Sequence, residues 1–482
     1  MSDPHPAPRI VIAGLSGDSG KTLVSIGLLL LARRINFPVA AFKKGPDYID
    51  AAWLTWAAGR PARNLDTYLM GFDNAVRSFA CHAAPDGLNL IEGNRGLFDG
   101  VDALGTHSSA ELAKALRAPA ILVLNATKVT RTAAALVLGC QKLDPDLDLR
   151  GVILNQVAGR RHESVLRDAI ESTCGIPVLG ALPRAGGQAV LPSRHLGLVT
   201  PAEHGGMADL EEAVLEIVRE RLDLDRIMTT ARSASPLGAA GPIPSASPDS
   251  PALRIGIIRD SAFNFYYPEN LEALEAAGAT LVPVSALDAS ELPRDISGLY
   301  IGGGFPETHG ARLSANRSFL AGLKRSAEDG LPIYAECGGL MLMSRAVLWQ
   351  GKRHAMAGFL PFDVAVHETP RGHGYTRLTV DQPNPFYSVG LAIRGHEFHY
   401  SSLASPGDLP QTVCAVSRGS GCGNGRDGIV LANTWASYTH VHALGTPEWA
   451  PALVSAARRN RPAQSQGPPD FSISPQGRIS PA

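Results

Sequence analysis

The feature that most constrains the fold is a strand, a glycine-rich loop and a helix that follow one another near the amino terminus. The apolar run RIVIAG (9–14) leads into LSGDSGKT, and KTLVSIGLLLLARR (21–34) has the composition of a buried helix. The backbone N–H groups of such a loop and the positive end of the helix dipole favour a bound phosphate. The first glycine, Gly14, stands one residue earlier than in the commonest phosphate-binding pattern. A plain strand-to-helix turn is the alternative, although such a turn needs no Lys–Thr pair.

The loop therefore predicts an ATP site. In this interpretation Lys21 reaches the outer phosphates and the Thr22 hydroxyl binds Mg²⁺. The residues expected to surround the phosphates are Gly14, Ser16, Gly17, Ser19, Gly20, Lys21 and Thr22.

Short apolar runs alternate with helical segments through both halves of the chain. The predicted strands are 9–14, 38–42, 88–93, 120–126 and 151–157 in the first half, and 254–260, 280–286, 298–304 and 332–336 in the second. Strands that are apolar almost throughout and separated by helices predict parallel sheets covered on both faces. The expected fold class is α/β with two domains, in which ligands bind beyond the carboxyl ends of the strands.

Two segments lack an apolar period. Residues 231–252 are rich in Ala, Ser, Pro and Gly, which indicates a linker, and residues 461–482 have the composition of a disordered tail. A chain of 482 residues suits more than one core. We therefore expect a nucleotide-binding domain at 1–230 and a second domain at 253–460.

The overall composition excludes several classes of protein. A formal net charge of −1 indicates neither a nucleic-acid partner nor an anionic membrane surface. The longest apolar run, at 26–32, is too short to span a bilayer, and MSDPHPAPR lacks the apolar core of a signal peptide. The six cysteines form no C-x-x-C pair, so we expect a reducing, cytoplasmic setting.

Acidic residues follow two of the predicted strands. Asp47 and Asp50 come after FKKGP, Glu92 ends LNLIE, and Asp99 lies shortly beyond it. Carboxylates beside a nucleotide suit magnesium-assisted phosphoryl transfer, with Thr22, Asp47 and Glu92 as the candidate metal ligands. The alternatives are that Asp47 caps a helix and that Glu92 is a buried acid paired with an arginine.

The second half contains a candidate nucleophile. PIYAECGGLMLM places Cys337 between a strand and a helix, as in a nucleophile elbow, and the helix dipole should lower the pKa of the thiol. A small buried hydrophobe is the alternative. The candidate base is His440, and His442 would share its side of a strand. Further ligands at the spacing of a zinc site are missing.

Glycines near these residues suggest an oxyanion site. Gly303 and Gly304 follow a predicted strand, and Gly338 follows Cys337. Their N–H groups could stabilise a tetrahedral intermediate. A loop that needs positive φ is the alternative for the first two glycines.

Four motifs resemble the cobyrinic acid a,c-diamide synthase family: KGPDYID, GRPARNLDTYLM, EGNRGLFDG and SSAELAKAL. The resemblance runs through both halves, over residues 9–445. It implies a dethiobiotin-synthetase-like ATP domain and a class I glutamine amidotransferase domain. Related amidotransferases usually carry a glutamate two residues after the catalytic histidine, where this chain has His442. What orients His440 therefore stays open.

The resemblance also implies residue roles. Cys337 would be the nucleophile and His440 its base. The acidic residues expected to act in the ATP domain are Asp47, Asp50, Glu92 and Asp99, and those expected to bind the substrate are Lys43, Tyr48, Ile49 and Arg63. Lys44, Arg60 and Arg95 are further candidates for contacts with substrate carboxylates.

The two halves complement each other chemically. A carboxylate reacts with ammonia only after its oxygen becomes a leaving group, and ammonia is scarce at neutral pH. The predicted function is the amidation of the a and c acetates of cobyrinic acid, with ATP, Mg²⁺ and L-glutamine. The alternatives are the same reaction on sirohydrochlorin or sirohaem, a P-loop switch ATPase and a non-catalytic tetrapyrrole carrier. The oligomeric state stays open, with a homodimer among the expectations.

Overall fold

Two large sheets, one in each half of the chain, form the framework of the fold. This computed structural model describes residues 7–184, 191, 193–194, 197–198, 200–238, 241, 253–404 and 410–460. The predicted tail, 461–482, lies outside the described residues, as does most of the predicted linker. None of the helices in the described ranges is long and apolar enough to cross a membrane.

The first half is built around a seven-stranded sheet with the order β3-β2-β4-β1-β5-β6-β7, and every neighbouring pair in it is parallel. The strands are β1 (Arg9–Gly14), β2 (Val39–Lys44), β3 (Arg63–Leu65), β4 (Leu88–Glu92), β5 (Ala120–Asn125), β6 (Leu149–Val157) and β7 (Val178–Pro183), followed by the short pair β8 (Ser193–Arg194) and β9 (Gly197–Leu198). The helices are α1 (Lys21–Arg34), α2 (Tyr48–Ala58), α3 (Thr67–His82), α4 (Ser109–Ala115), α5 (Thr132–Leu143), α6 (Arg160–Cys174), α7 (Met207–Val218) and α8 (Leu224–Arg232), with a 3₁₀ turn at Pro201–Glu203.

The second half contains a ten-stranded sheet with the order β12-β10-β13-β15-β24-β23-β22-β19-β20-β25. Its strands and those of the smaller sheets beside it are β10 (Leu253–Ile258), β11 (Phe263–Phe265), β12 (Ala279–Val284), β13 (Gly298–Ile301), β14 (Gly303–Gly304), β15 (Ile333–Glu336), β16 (Ala346–Trp349), β17 (Lys352–Ala355), β18 (Asp363–Val366), β19 (Gly372–Val380), β20 (Ala392–His399), β21 (Ser401–Ala404), β22 (Thr412–Arg418), β23 (Arg426–Leu431), β24 (Thr434–Ser437) and β25 (His440–Val441). The helices are α9 (Pro268–Ala276), α10 (Gly310–Ala315), α11 (Arg317–Glu328), α12 (Gly338–Met343) and α13 (Trp449–Arg459).

The predicted α/β class is confirmed, and every predicted strand is present. β1 and α1 have the predicted bounds, because a continuous apolar run and a helical stretch with no Pro are local signals. A wholly parallel second sheet was the wrong expectation. In the order of the strands across the sheet, the neighbouring pairs from β12 through β24 are parallel. The remaining neighbouring pairs, from β24 through β25, are antiparallel. In that part strands such as β19 alternate buried and exposed residues, which a search for continuous apolar runs does not detect.

The first domain continues past the predicted boundary at 230. Helix α8 ends at Arg232, and Leu237 is buried in the core of the first domain. The buried guanidinium of Arg9 donates to the carbonyl oxygens of Leu116 and Ser235. These contacts attach the first residues of the predicted linker to the sheet.

Candidate active site

The glycine-rich loop crosses from β1 to α1 at the carboxyl edge of the first sheet. Gly20 has φ 97°, and a Cβ there would lie 2.1 Å from the Asn155 side chain, so the position requires glycine. Among the described residues, no side chain caps the start of α1, which leaves its first N–H groups available to an anion. The Lys21 ammonium lies over the loop, 2.8 Å from the Ser16 carbonyl oxygen. Burial, with Lys43 nearby, lowers the pKa of Lys21.

A buried charge cluster lies directly beside this loop. Lys43 on β2 and Glu92 on β4 are paired in the sheet register, and Lys43 Nζ lies 2.9 Å from Glu92 Oε1 and 2.6 Å from Asp50 Oδ2. Thr22 donates its hydroxyl to the same glutamate oxygen at 2.7 Å. Burial lowers the pKa of Lys43, but Asp50 and Glu92 outweigh it, so the pKa lies above its ordinary value. Lys43 is therefore a buried cation that holds two carboxylates in place.

This cluster fits a magnesium ion. Glu92 Oε2 is buried and has no hydrogen-bond partner among the described residues, and it belongs to the carboxylate that the Thr22 hydroxyl contacts. The described ranges hold no group of three or more His, Cys, Asp or Glu side chains arranged for a metal. Mg²⁺ commonly takes one or two carboxylates and completes its shell with phosphate oxygens and water. Glu92 and Thr22 supply such a partial set.

The two other predicted acids have local backbone partners. Asp47 caps α2, since its Oδ1 accepts the backbone N–H groups of Ile49 and Asp50. Burial and the nearby Asp50 raise the pKa of Asp47 to about 7. Asp99 Oδ2 accepts the N–H of Gly96 at 2.9 Å. Capping thus engages one oxygen of Asp47, as the alternative interpretation expected.

Cys337 occupies the tight turn that the motif predicted. It lies between β15 and α12 with φ 48° and ψ −97°, a conformation that costs a residue with a Cβ roughly 1–3 kcal/mol. Its backbone N–H donates to the Ser437 carbonyl oxygen at 2.7 Å, which ties the turn to β24. Strain of this kind, in a tight turn between a strand and a helix at the edge of a sheet, is typical of a nucleophile.

The expected lowering of the thiol pKa is wrong. Burial raises the pKa of Cys337 well above its ordinary value, and the neighbouring carboxylate of Glu307 adds to the rise. Helix α12 has six residues, so its dipole is too small to offset a buried site. A thiol in this setting needs a base to take its proton.

The candidate base, His440, lies at the end of the second sheet. It is paired with His396 of β20, and the two rings stack at a centroid distance of 5.0 Å. Its Nδ1 lies 3.3 Å from Glu336 Oε2, and the ring of Tyr48, from the first domain, meets it edge-on at 5.4 Å. The sequence interpretation missed Glu336 and His396. A single acid at the end of the apolar strand before Cys337 was the available signal for Glu336.

His442 does not share the strand face of His440, because β25 ends at Val441. The ring of His442 instead packs against Tyr267 at 4.6 Å. Its Nδ1 accepts the N–H of Leu444, and its Nε2 lies 3.8 Å from Glu269.

The predicted oxyanion glycines lie around Cys337. Gly303 and Gly304 form β14, and a Cβ on Gly338 would lie 3.1 Å from the Gly304 nitrogen. At Gly304, φ is 153° and a Cβ would lie 2.1 Å from the Ala262 carbonyl oxygen, so only glycine fits. The approach of Gly338 to the Gly304 nitrogen places the backbone of β14 beside the turn that carries Cys337.

One cavity of about 660 Å³ contains groups from both domains. Its lining from the first domain includes Lys44, Asp47, Tyr48, Ile49, Asp50, Arg95 and Asp99, and that from the second includes Gly304, Cys337, His373, His396, Arg418 and His440.

Two predicted substrate-binding residues lie outside this lining. Lys43 is held by Asp50 and Glu92, and Arg63 forms a two-pronged ion pair with Glu272 of the second domain, at 2.8 and 2.5 Å. Arg60 donates to the His82 carbonyl oxygen. Lys43, Arg63 and Arg60 thus have partners within the protein, whereas Lys44 and Arg95 line the cavity.

Outside the lining of the cavity, Glu269 and His442 form a buried pair at the domain interface. Burial, only partly offset by Arg63, raises the pKa of Glu269 to about 7. Burial and then Arg63 lower the pKa of His442 to about 3. The ordinary values are 4.5 and 6.5. Between those two pH values, folding therefore moves one proton from the histidine to the glutamate without changing the total.

Single substitutions should unmask the two opposing pH dependences. The raised pKa of Glu269 stabilises the fold at low pH, and this is lost as pH rises through 7. The depressed pKa of His442 stabilises it at high pH, and this is lost as pH falls towards 3. As pH increases from 4.5 to 6.5, we expect the unfolding free energy of Glu269→Gln to rise relative to wild type, and that of His442→Asn to fall. The slopes should be about 1.4 kcal/mol per pH unit. Denaturant titrations across this range test the signs, and parallel curves for the three proteins would contradict them.

Comparison with known proteins places both halves in described families. Residues 10–199 match the CobQ/CobB/MinD/ParA nucleotide binding domain, and residues 254–448 match the CobB/CobQ-like glutamine amidotransferase domain. The chain is 44% identical over 456 residues to a protein of Magnetococcus marinus named cobyrinate a,c-diamide synthase, with 94% of this chain and 97% of the relative covered. Relatives with the same name occur in Dehalococcoides mccartyi (40% identity; 94% and 98% covered) and Methanosarcina acetivorans (39% identity; 94% and 96% covered).

Proposed function

The chain belongs to the cobyrinate a,c-diamide synthase family, as a glutamine-dependent amide ligase, and we propose that it amidates the a and c acetates of cobyrinic acid. ATP activates each carboxylate as an acyl phosphate, and glutamine supplies the ammonia. The two chemistries occur in one chain because neither is productive alone.

The observation that carries this proposal is the shared cavity. Asp50, which contacts Lys43 of the buried charge cluster, lines the same space as Cys337 and His440. Ammonia released at the thiol is therefore formed in the same cavity as the activated carboxylate. Such confinement raises the effective concentration of a scarce nucleophile.

In the first domain, Lys21 and the loop N–H groups would bind the ATP phosphates, and Glu92 with Thr22 would hold Mg²⁺. The metal, when bound, offsets negative charge on the transferred phosphoryl group. A substrate carboxylate oxygen attacks the γ-phosphorus, the bond to ADP breaks, and an acyl phosphate forms. Lys43 keeps Asp50 and Glu92 in position throughout, since it is fixed between them.

In the second domain, His440 takes the proton of the Cys337 thiol. The sulfur attacks the side-chain amide carbon of glutamine, and the N–H groups around Gly304 and Gly338 stabilise the oxyanion. Ammonia leaves with the proton, and water hydrolyses the thioester to glutamate. Ammonia then attacks the acyl phosphate carbon, and phosphate leaves as the amide forms.

The cationic side chains of the cavity suit a polycarboxylate. Lys44, Arg95 and Arg418 line it, and Arg95 also contacts His373 at 3.1 Å across the domain boundary. Arg418 lies over the ring of Tyr68 at 5.4 Å. Guanidinium groups bind carboxylates through paired hydrogen bonds, so this set can hold acid side chains that are not reacting.

A substrate panel tests the proposal. The protein is incubated with ATP, Mg²⁺ and glutamine labelled with ¹⁵N in the side-chain amide, and with cobyrinic acid, sirohydrochlorin or sirohaem. We expect mass spectrometry to find two labelled amides on cobyrinic acid, with ADP and glutamate formed in step. Labelled amides on sirohydrochlorin or sirohaem alone would assign the other substrate class. No labelled amide on any of the three would contradict the proposal.

A further inference from the structure

The residue two positions after His440 does not orient it. His442 is fully buried, and its Nδ1 accepts the N–H of Leu444, so this nitrogen carries no proton. Its Nε2 faces Glu269 of α9 at 3.8 Å, and its ring packs on Tyr267. The position that holds a glutamate in related amidotransferases thus belongs to the domain interface in this chain.

A different carboxylate contacts His440. Glu336, the last residue of β15, is fully buried, and its Oε2 lies 3.3 Å from His440 Nδ1. The same oxygen accepts the hydroxyl of Tyr300 at 3.1 Å, and Oε1 lies 3.4 Å from the Val441 N–H. Partners on β13 and β25 therefore hold both oxygens of this carboxylate.

We propose that Glu336 is the positioning residue of the glutaminase reaction, completing a Cys337–His440–Glu336 triad in which the third member directly precedes the nucleophile. This inference rests on the proposed function, which assigns Cys337 and His440. A carboxylate that accepts Nδ1–H fixes the tautomer in which Nε2 is free to take the thiol proton, and it stabilises the imidazolium that results.

The fold couples this carboxylate to the nucleophile. Glu336 and Cys337 are consecutive, and β15 pairs in parallel with β24, where Glu336 faces Ser437. His440 follows β24 by three residues and is paired with β20. Because Glu336 ends β15 and Cys337 follows it directly, the carboxylate that contacts the base is held next to the nucleophile.

The stacked ring of His396 cannot replace the carboxylate. Burial, with His440 and His442 nearby, lowers the pKa of His396 well below its ordinary value, so this ring is neutral. Its Nδ1 faces the Tyr267 hydroxyl at 3.3 Å. Tyr48 reaches His440 only through an edge contact. Glu336 supplies an anion within hydrogen-bond distance of the His440 ring.

The test is the glutaminase activity of Glu336→Gln, measured as glutamate release. We expect kcat to fall about 10²- to 10⁴-fold with the KM for glutamine unchanged, because an amide can favour the wrong imidazole tautomer. Amidation driven by ammonium salts should stay at the wild-type rate. Tyr300→Phe is the matched control, because it removes the other side-chain partner of the same oxygen and keeps the carboxylate. We expect its kcat to fall by less than about tenfold, which corresponds to the loss of one hydrogen bond.

The outcomes separate this inference from the proposed function. Full glutaminase activity in Glu336→Gln, with Cys337→Ser inactive, would overturn the positioning role and leave the proposed function standing. Glutaminase activity in Cys337→Ser would overturn the proposed function itself. If Glu336→Gln does not fold, Glu336→Asp replaces it. Its shorter carboxylate should lower kcat at constant KM, and an unchanged kcat with a raised KM would overturn the inference.

Discussion

We expect the replacement of Cys337 with serine to lower glutamine-driven amidation by about 10³-fold or more and to leave ammonium-driven amidation intact. A hydroxyl is far less acidic than a thiol, so His440 cannot generate the attacking anion at a useful rate. Serine is close in size to cysteine and meets the same backbone requirement at φ 48°. The ATP-dependent domain should therefore work normally when ammonia is supplied from solution.

The chain offers a matched control for this substitution. Cys140 on α5 is as buried as Cys337, each 6% exposed, but it lies in the core of the first domain. Cys140→Ser should change stability only and keep the ratio of glutamine-driven to ammonium-driven rates. Loss of both rates in Cys337→Ser, or an equal change of the ratio in Cys140→Ser, would contradict the assignment.

We expect the replacement of Lys21 with methionine to abolish amidation from either nitrogen source. In the proposed function the Lys21 ammonium meets the outer phosphates, and losing a cation that stabilises phosphoryl transfer costs about 10²-fold or more. The fold should survive, because the described hydrogen bonds of this ammonium go to Ser16 and Ser19 of its own loop. Among the described contacts, no carboxylate loses a hydrogen-bonded partner in this variant, in contrast to a substitution of Lys43.

Three measurements check the Lys21 result. Calorimetry should show weakened ATP binding, amidation should be lost with glutamine and with ammonium, and basal glutamate release should persist. The control is Lys142→Met, since Lys142 is exposed on the last turn of α5. Amidation with ammonium at the wild-type rate in Lys21→Met would show that this loop does not serve the reaction.

Short patterns of neighbouring residues predicted the phosphate loop and the turn at Cys337. The loop before Lys21 and the elbow at Cys337 each lie within a dozen residues, and each depends on backbone geometry that only a few residue types permit. Glu92 was predicted because a parallel sheet gathers the carboxyl ends of its strands at one edge. The alternative interpretation paired Glu92 with an arginine, whereas the register of β2 and β4 places Lys43 there.

The roles of Arg63 and His442 could not be read from the chain. Arg63 lies in a motif typical of the family, but its guanidinium contacts Glu272, more than two hundred residues away. His442 is two residues from the base, yet the end of β25 turns it into the interface beside Glu269. A sequence pattern specifies which groups are present, but not which distant group compensates each charge.

The amino-acid sequence by itself determined the α/β class, the phosphate loop, the elbow and the family, because each depends on residues close together along the chain. Only the tertiary structure decided that burial raises the pKa of Cys337, that Glu336 reaches His440, and that one cavity joins the two domains. Burial and ionic partnership are properties of packing between remote segments. They set the pKa values and the contacts on which the chemistry depends.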